Sequence, residues 1–276
     1  MSDAQASVNL YDNVYGDFTS SAEAAVRRET YGEDLGQSSW VTAQEWLHVA
    51  DQLQIGAGTE VLEVGSGSGG PAIYLAVQRA CRVTGVDINE HGVRNARSLA
   101  AARRLEDRVH FEAVDANQPL PFADDCFDAV VSNDSMCHIE NRGRLLREWR
   151  RVVRPGGRVL FTDPMVVTGL ISNEEVAVRS SIGFYVLVPP GANEDMLREA
   201  GFVVLAVDDV TLNAALVAKR WREARGRHRE ALVAREGDTN FEGLQRFLQC
   251  VHTLSSEKRL SRYAYLAEKP GSGSPS

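Results

Sequence analysis

A chain of 276 residues with 43% hydrophobic and 25% charged side chains has the composition of an ordinary soluble globular protein, long enough for one α/β domain with additions. Its net charge of −8 and pI near 5.4 remove any general attraction to nucleic acid or anionic membrane. Met1–Leu10 lacks the order of a secretory signal, no apolar run spans a bilayer, and Cys81, Cys126, Cys137 and Cys250 have no paired spacing, so a cytoplasmic protein with reduced thiols and no metal site is expected.

From Ala22 to Leu53 the chain reads as helical, with Trp40, Ala43, Trp46, Leu47 and Ala50 at helical spacing. A polar, glycine-punctuated loop, Tyr31–Trp40, interrupts it. From Thr59 strands and helices alternate. Strand Glu60–Val64 leads to helix Pro71–Gln78, strand Arg82–Asp87 to helix Asn89–Arg103, and strands Val109–Ala113 and Phe127–Asn133 follow. Helix Arg142–Val152 precedes strand Arg158–Thr162, with Pro155-Gly156-Gly157 as a terminator between them. Apolar strands separated by amphipathic helices predict right-handed βαβ units and a doubly wound parallel sheet. Beyond Asp163 the rhythm changes. Met165–Pro190 is irregular and apolar; a helix (Asn193–Ala200) and a strand (Phe202–Val210) follow. Helical stretches Leu212–Arg235 and Phe241–Leu254 then precede a final strand, Leu260–Ala267.

The chemistry concentrates where strands end. Val61-Leu62-Glu63-Val64-Gly65-Ser66-Gly67-Ser68-Gly69-Gly70 is strand, tight turn and helix start, the order a nucleotide crevice needs. Glycines there let the backbone approach a ligand where a Cβ would collide. Gly65, Gly67 and Gly70 also satisfy the dinucleotide template G-x-G-x-x-G, so an NAD-dependent oxidoreductase remains an alternative on this run alone. Glu63 suits an electropositive or hydroxyl-rich ligand better than a pyrophosphate. Asp87, ending the second strand about twenty residues after the turn, can accept hydrogen bonds from ribose hydroxyls, or simply cap a helix. Asp115 can read the amino edge of adenine, or simply make a turn. Asn133, closing the fourth strand, is expected to act through its backbone. His138 is either a general base, a polar pocket wall, or a helix-start histidine without a catalytic role.

In order and spacing, Glu63 to Gly69, Asp87, Asp115, Asn133 and Arg154-Pro155-Gly156-Gly157-Arg158 resemble the class I S-adenosylmethionine-dependent methyltransferases over about Thr59 to Pro164. The segment Tyr31-Gly32-Glu33-Asp34-Leu35-Gly36-Gln37-Ser38-Ser39-Trp40 is similar to the W-G-E-x-x-H-x-G-x-W/Y segment of sarcosine/dimethylglycine N-methyltransferases and tocopherol C-methyltransferases. Tyr31 here replaces the Trp, and Gly36-Gln37 stands where others carry His. Thr162-Asp163-Pro164-Met165 and the helical insert also look like the sarcosine/dimethylglycine group.

The resemblance implies a Rossmann-like sheet of seven strands, the last antiparallel beside the sixth, under a helical lid. It implies an N-terminal helical cap and cofactor-covering loop over residues 1–58 and a methyltransferase domain over 59–270 with an insert near 212–256; the tail over 271–276 is expected to be disordered from its Gly/Ser/Pro-rich composition. S-adenosylmethionine would bind along Glu63, Gly65, Ser66, Gly67 and Gly69, with Asp87 and Ile88 at the ribose, Asp115 and Ala116 at the adenine, Asn133 beside it, and Gln37 and Trp40 as cover; S-adenosylhomocysteine would be the product. His138 and Tyr31 are the candidate catalytic residues, and Tyr31, His138 and Tyr185 the candidate acceptor contacts. An amine nitrogen is the favoured methyl acceptor, with C- or O-methylation of a prenyl or aromatic compound as the alternative. A small-molecule substrate is expected, with no nucleic acid and no membrane partner, and a homo-oligomer is compatible with the sequence.

Overall fold

The structure is a computed structural model and describes residues 20–271. Two helices, α1 (Ser21–Tyr31) and α2 (Ala43–Gln52), precede the sheet. Each starts where a hydroxyl caps it: Ser20 accepts from the Glu23 amide and Thr42 from the Glu45 amide. The α/β succession then runs β1 (Glu60–Val64), α3 (Gly70–Arg79), β2 (Arg82–Asp87), α4 (Glu90–Ala102), β3 (Val109–Ala113), β4 (Phe127–Ser132), α5 (Arg142–Val152) and β5 (Val153–Val167). After β5 come α6 (Asn173–Arg179), α7 (Ala192–Glu199), β6 (Val203–Asp209), α8 (Thr211–Arg227), α9 (Arg229–Ser256) and β7 (Leu260–Glu268).

The strands form one seven-stranded sheet in the order β3-β2-β1-β4-β5-β7-β6. The first five are parallel, and β7 lies antiparallel between β5 and β6, as expected. Alternation along β1 sends Val61 to one face and Leu62 and Val64 to the other. On the first face the sheet is covered by α2, α3 and α4 through Trp46, Ile73, Val93 and Ala96. On the second it is covered by α5 and α7 through Leu145, Trp149 and Leu197. Strand order reverses between β1 and β4, which opens a crevice at their carboxyl ends.

Three local readings are corrected. β5 begins at Val153, not Arg158: Gly156 and Gly157 exchange backbone bonds with Lys269, so Pro155-Gly156-Gly157 bulges within the strand. Met165–Pro190 contains α6, started by a capping box between Ser172 and Glu175. The insert breaks at Gly237 (φ 78, ψ 158), between the two expected stretches, and also at His228, which divides the first of them. Together α1, α8 and α9 build a separate cap core from Val26, Trp40, Trp221, Leu244 and Phe247. The exposed arginines of α8 are a solvated face, while Arg225 is buried and paired with Glu236. Apart from Gly271, the tail expected over 271–276 lies outside the described residues. Among them no helix is long and apolar enough to cross a membrane.

Candidate active site

A cavity of about 400 Å³ lies at the crevice, roofed by the Gly36–Trp40 loop and the cap. Its floor is the glycine turn. The Gly65 and Ser66 amides both donate to the Val86 carbonyl (2.8 and 3.0 Å), and the Gly67 amide donates to Asp87 Oδ2 (2.8 Å), which ties the turn to the end of β2. Gly65 has φ +78, and a Cβ there would run into Ser135 Oγ. Gly69 does not line the cavity: its missing Cβ makes room for the Phe111 ring and Ala96, so its role is helix–sheet packing.

Glu63, Ser66, Gly67, Asp87, Ile88, Asp115, Ala116 and Asn133 all line this cavity. Glu63 is buried, and among the described residues its Oε2 has no hydrogen-bond partner. Desolvation, helped by the neighbouring Asp87 charge, pushes its carboxyl up to about 8. Asp87 is also raised by burial, although the Gly67 and Asn89 amides hold it down in part. Asp115 makes the turn its residue type allows, its Oδ1 accepting from the Asn117 amide (2.9 Å). Ile88 stands exposed at the rim. The Asn133 side chain is engaged elsewhere, donating to Ser39 Oγ (2.7 Å) and accepting from Arg262 (3.1 Å), which leaves its backbone at the cavity.

The roof loop is stitched to itself and to the sheet. Gln37 Oε1 accepts from the Leu35 amide (2.8 Å) and its Nε2 donates to the Val41 carbonyl (3.4 Å), so its amide shapes the loop as well as lining the cavity. The Trp40 amide donates to Asp134 Oδ2 (2.9 Å), while its indole meets Trp221 edge-on and stacks with Phe247. Beneath, the buried Arg262 bridges Asp134 and Glu45. Tyr31 is corrected: it does not line the cavity. It is buried in the cap core, and its hydroxyl donates to the Ser39 carbonyl (2.7 Å). Burial pushes its phenol far above the usual range, so it is no proton-transfer group.

His138, Arg179, Ile182, Phe184, Tyr185, Trp221 and Phe247 also line the cavity, with Arg179 over the Tyr185 and Phe247 rings. His138 Nδ1 lies 2.7 Å from the Phe184 carbonyl. A carbonyl only accepts, so Nδ1 carries the proton and the basic lone pair belongs to Nε2. Desolvation, more than the nearby Arg179 charge, holds this imidazole below its ordinary value, so it is neutral at pH 7. Tyr185 packs on it with centroids 4.4 Å apart. Sequence reasoning missed Arg179, Trp221 and two of the serines, Ser68 and Ser132. Ser66, Ser68 and Ser132 are buried with unpartnered hydroxyls on the cavity wall. No local motif marks Arg179; the only sequence signal near it is the Ser172–Glu175 capping box.

The fold and this cavity define an α/β enzyme that holds a nucleoside-bearing ligand at the sheet's switch point. The family model described as a methyltransferase domain matches residues 62–161. The 27-O-demethylrifamycin SV methyltransferase of Amycolatopsis mediterranei is 30% identical over 258 residues, which span 89% of each chain. The sarcosine/dimethylglycine N-methyltransferase of Halorhodospira halochloris is 32% identical over 75% of this chain and 70% of its own. The solved phosphoethanolamine N-methyltransferase 2 of Haemonchus contortus, in complex with phosphomonomethylethanolamine and S-adenosylhomocysteine, matches with TM-score 0.79 at 22% identity, over 94% of this chain and 60% of that one, and supports the fold.

This chain belongs to the class I S-adenosylmethionine-dependent methyltransferases. S-adenosylmethionine is its cofactor and a small molecule its substrate, and the dinucleotide alternative for the same glycines is set aside.

Proposed function

We propose that this enzyme methylates a hydroxyl oxygen of a small molecule with an apolar or aromatic body. The observation that carries this reading is His138: a neutral imidazole at the cavity wall whose Nδ1–H is fixed by the Phe184 carbonyl, which makes Nε2 the basic nitrogen. A hydroxyl acceptor must lose its proton as the new bond forms, whereas an amine enters neutral and needs no strong base. The relative that is 30% identical over 89% of each chain is named for a 27-O-demethyl substrate.

The cavity residues fit the cofactor. Glu63 Oε2, Ser66 Oγ and Ser68 Oγ are buried polar atoms without partners, and such atoms call for a ligand that satisfies them. Glu63, Gly65, Ser66 and Gly67 take the methionine half, where a cationic group restores the Glu63 charge. Asp87 would accept from the ribose hydroxyls beside Ile88, Asp115 and Ala116 would lie at the adenine, and the Asn133 backbone with Gln37 and Trp40 would close the site. When bound, the cofactor supplies a methyl group on a sulfonium that leaves as a neutral thioether. The chain's own contribution is to hold the acceptor in line, exclude water under the cap, and take the hydroxyl proton on His138 Nε2.

An amine acceptor, favoured by the sequence, is the second reading and rests on the similarity to a sarcosine/dimethylglycine N-methyltransferase. The test is incubation with methyl-labelled cofactor and matched phenols, alcohols and amines, with products read by mass spectrometry. Methylation on oxygen is expected; label transferred to amines alone would overturn the reading.

A further inference from the structure

Four arginines are buried among the described residues: Arg142, Arg179, Arg225 and Arg262. Three have a carboxylate within hydrogen-bond reach: Arg142 meets Asp163 at 2.6 Å, Arg225 meets Glu236, and Arg262 meets both Asp134 and Glu45. That is the rule for a guanidinium taken out of water, because an uncompensated buried charge is costly. Arg179 breaks it. The residue is 2% exposed, among the described residues its Nε and Nη1 have no hydrogen-bond partner, and it lines the wall of the catalytic cavity. The rings of Tyr185 and Phe247 hold the guanidinium in place but offer no acceptor in its plane.

We propose that Arg179 anchors the methyl acceptor by binding an anionic group, a carboxylate or a phosphate, that the acceptor carries. The proposal rests on the reading of this cavity wall as the acceptor site and adds a substrate class to it. A planar fork of N–H donors in a desolvated pocket recognises an oxyanion better than any neutral group. Tyr185 packs against both Arg179 and His138, so an acceptor seated by its anion on the guanidinium has its body against the aromatic wall and its hydroxyl toward the imidazole. A neutral acceptor would leave the Arg179 donors unpaired, which sets the specificity. Arg179 is here a specificity-determining residue; the proton goes to His138 and no bond to Arg179 forms or breaks.

The experiment is a binding titration that needs no turnover. The protein saturated with S-adenosylhomocysteine is titrated with benzoate and phenyl phosphate, and with the neutral analogues benzamide and benzyl alcohol, by tryptophan fluorescence and calorimetry. At least one anion is expected to bind about ten to a hundred times more tightly than its neutral analogue. Arg179→Met should erase the preference and Arg179→Lys should keep part of it, with S-adenosylhomocysteine affinity as the folding control. A preference for benzoate assigns the group as a carboxylate, and a preference for phenyl phosphate as a phosphate. Equal affinities in the wild type, including no measurable binding of either anion, would overturn the proposal, as would a preference that survives in Arg179→Met. Should Arg179→Met not fold, the wild-type and Arg179→Lys comparison decides. Transfer to amines instead of hydroxyls would remove the functional reading and leave the anion preference standing; the reverse pattern would remove only the anchor.

Discussion

Replacing Glu63 with Gln keeps the shape of the side chain and removes its charge. In the free protein desolvation and Asp87 raise this carboxyl to about 8, so at pH 7 it is protonated. A cationic ligand beside it restores the carboxylate. Binding of S-adenosylmethionine at pH 7 is therefore expected to release nearly one proton, about 0.9 for a group of that pKa. Ionising Glu63 at pH 7 costs about 1.4 kcal/mol. The charged contact it gains contributes roughly 2–5 kcal/mol, a net of about 0.6–3.6 kcal/mol, so Glu63→Gln should weaken cofactor binding by a factor of about 3 to 400. Calorimetric titrations in two buffers with different heats of ionisation count the protons directly.

The same group governs stability. Its folded value lies above its unfolded value of 4.5, so the folded chain binds the extra proton between those limits. The free protein then holds this stability below pH 4.5 and loses it as pH rises towards 8, up to roughly 5 kcal/mol in all. Glu63→Gln should flatten that slope. Equal proton release from wild type and variant, or unchanged cofactor affinity, would refute the placing of Glu63 beside a cation.

His138→Asn should lower kcat at least about a hundredfold on a hydroxyl acceptor and abolish the acid limb of the rate profile. In the wild type that limb should fall below the ordinary histidine value of 6.5, since desolvation lowers the imidazole and the base works only when neutral; a limb above 6.5 would count against the base. Gly70→Ala would drive a Cβ into the Leu35 carbonyl, so the roof loop must move. A loss of about 1–3 kcal/mol or more is expected, with faster proteolysis of that loop; protection like the wild type would show that it does not dock there. Arg262→Met would leave Glu45 and Asp134 without their buried cation. It should cost about 3–5 kcal/mol, and an unshifted thermal melting curve would contradict this.

Most of the sheet was legible because its signals are local. The strands from Glu60 to Ala113 carry short apolar runs ended by glycine or acidic residues, and their limits agree with the structure. The bulge at Gly156 was not legible, since its backbone bonds go to Lys269, more than a hundred residues away in the chain. Tyr31 was misread for the same kind of reason. Its position in a motif brought it to notice, but packing against Val26 and Trp40 turned it away from the cavity. Gly69 belonged to the same glycine run as Gly65, yet only the arrival of Phe111 and Ala96 made it a packing residue.

The sequence by itself determined the doubly wound sheet, the cofactor and the positions between Glu63 and Asn133 that line the crevice, because strand ends, glycine turns and terminal carboxylates are close in the chain and obey short-range rules. Only the tertiary structure decided the other half of the site. His138, Arg179, Tyr185, Trp221 and Phe247 come from distant segments that meet when the cap folds over the sheet. Whether an arginine is paired, or an imidazole desolvated, depends on which neighbours arrive, and that is a property of packing that no local pattern encodes.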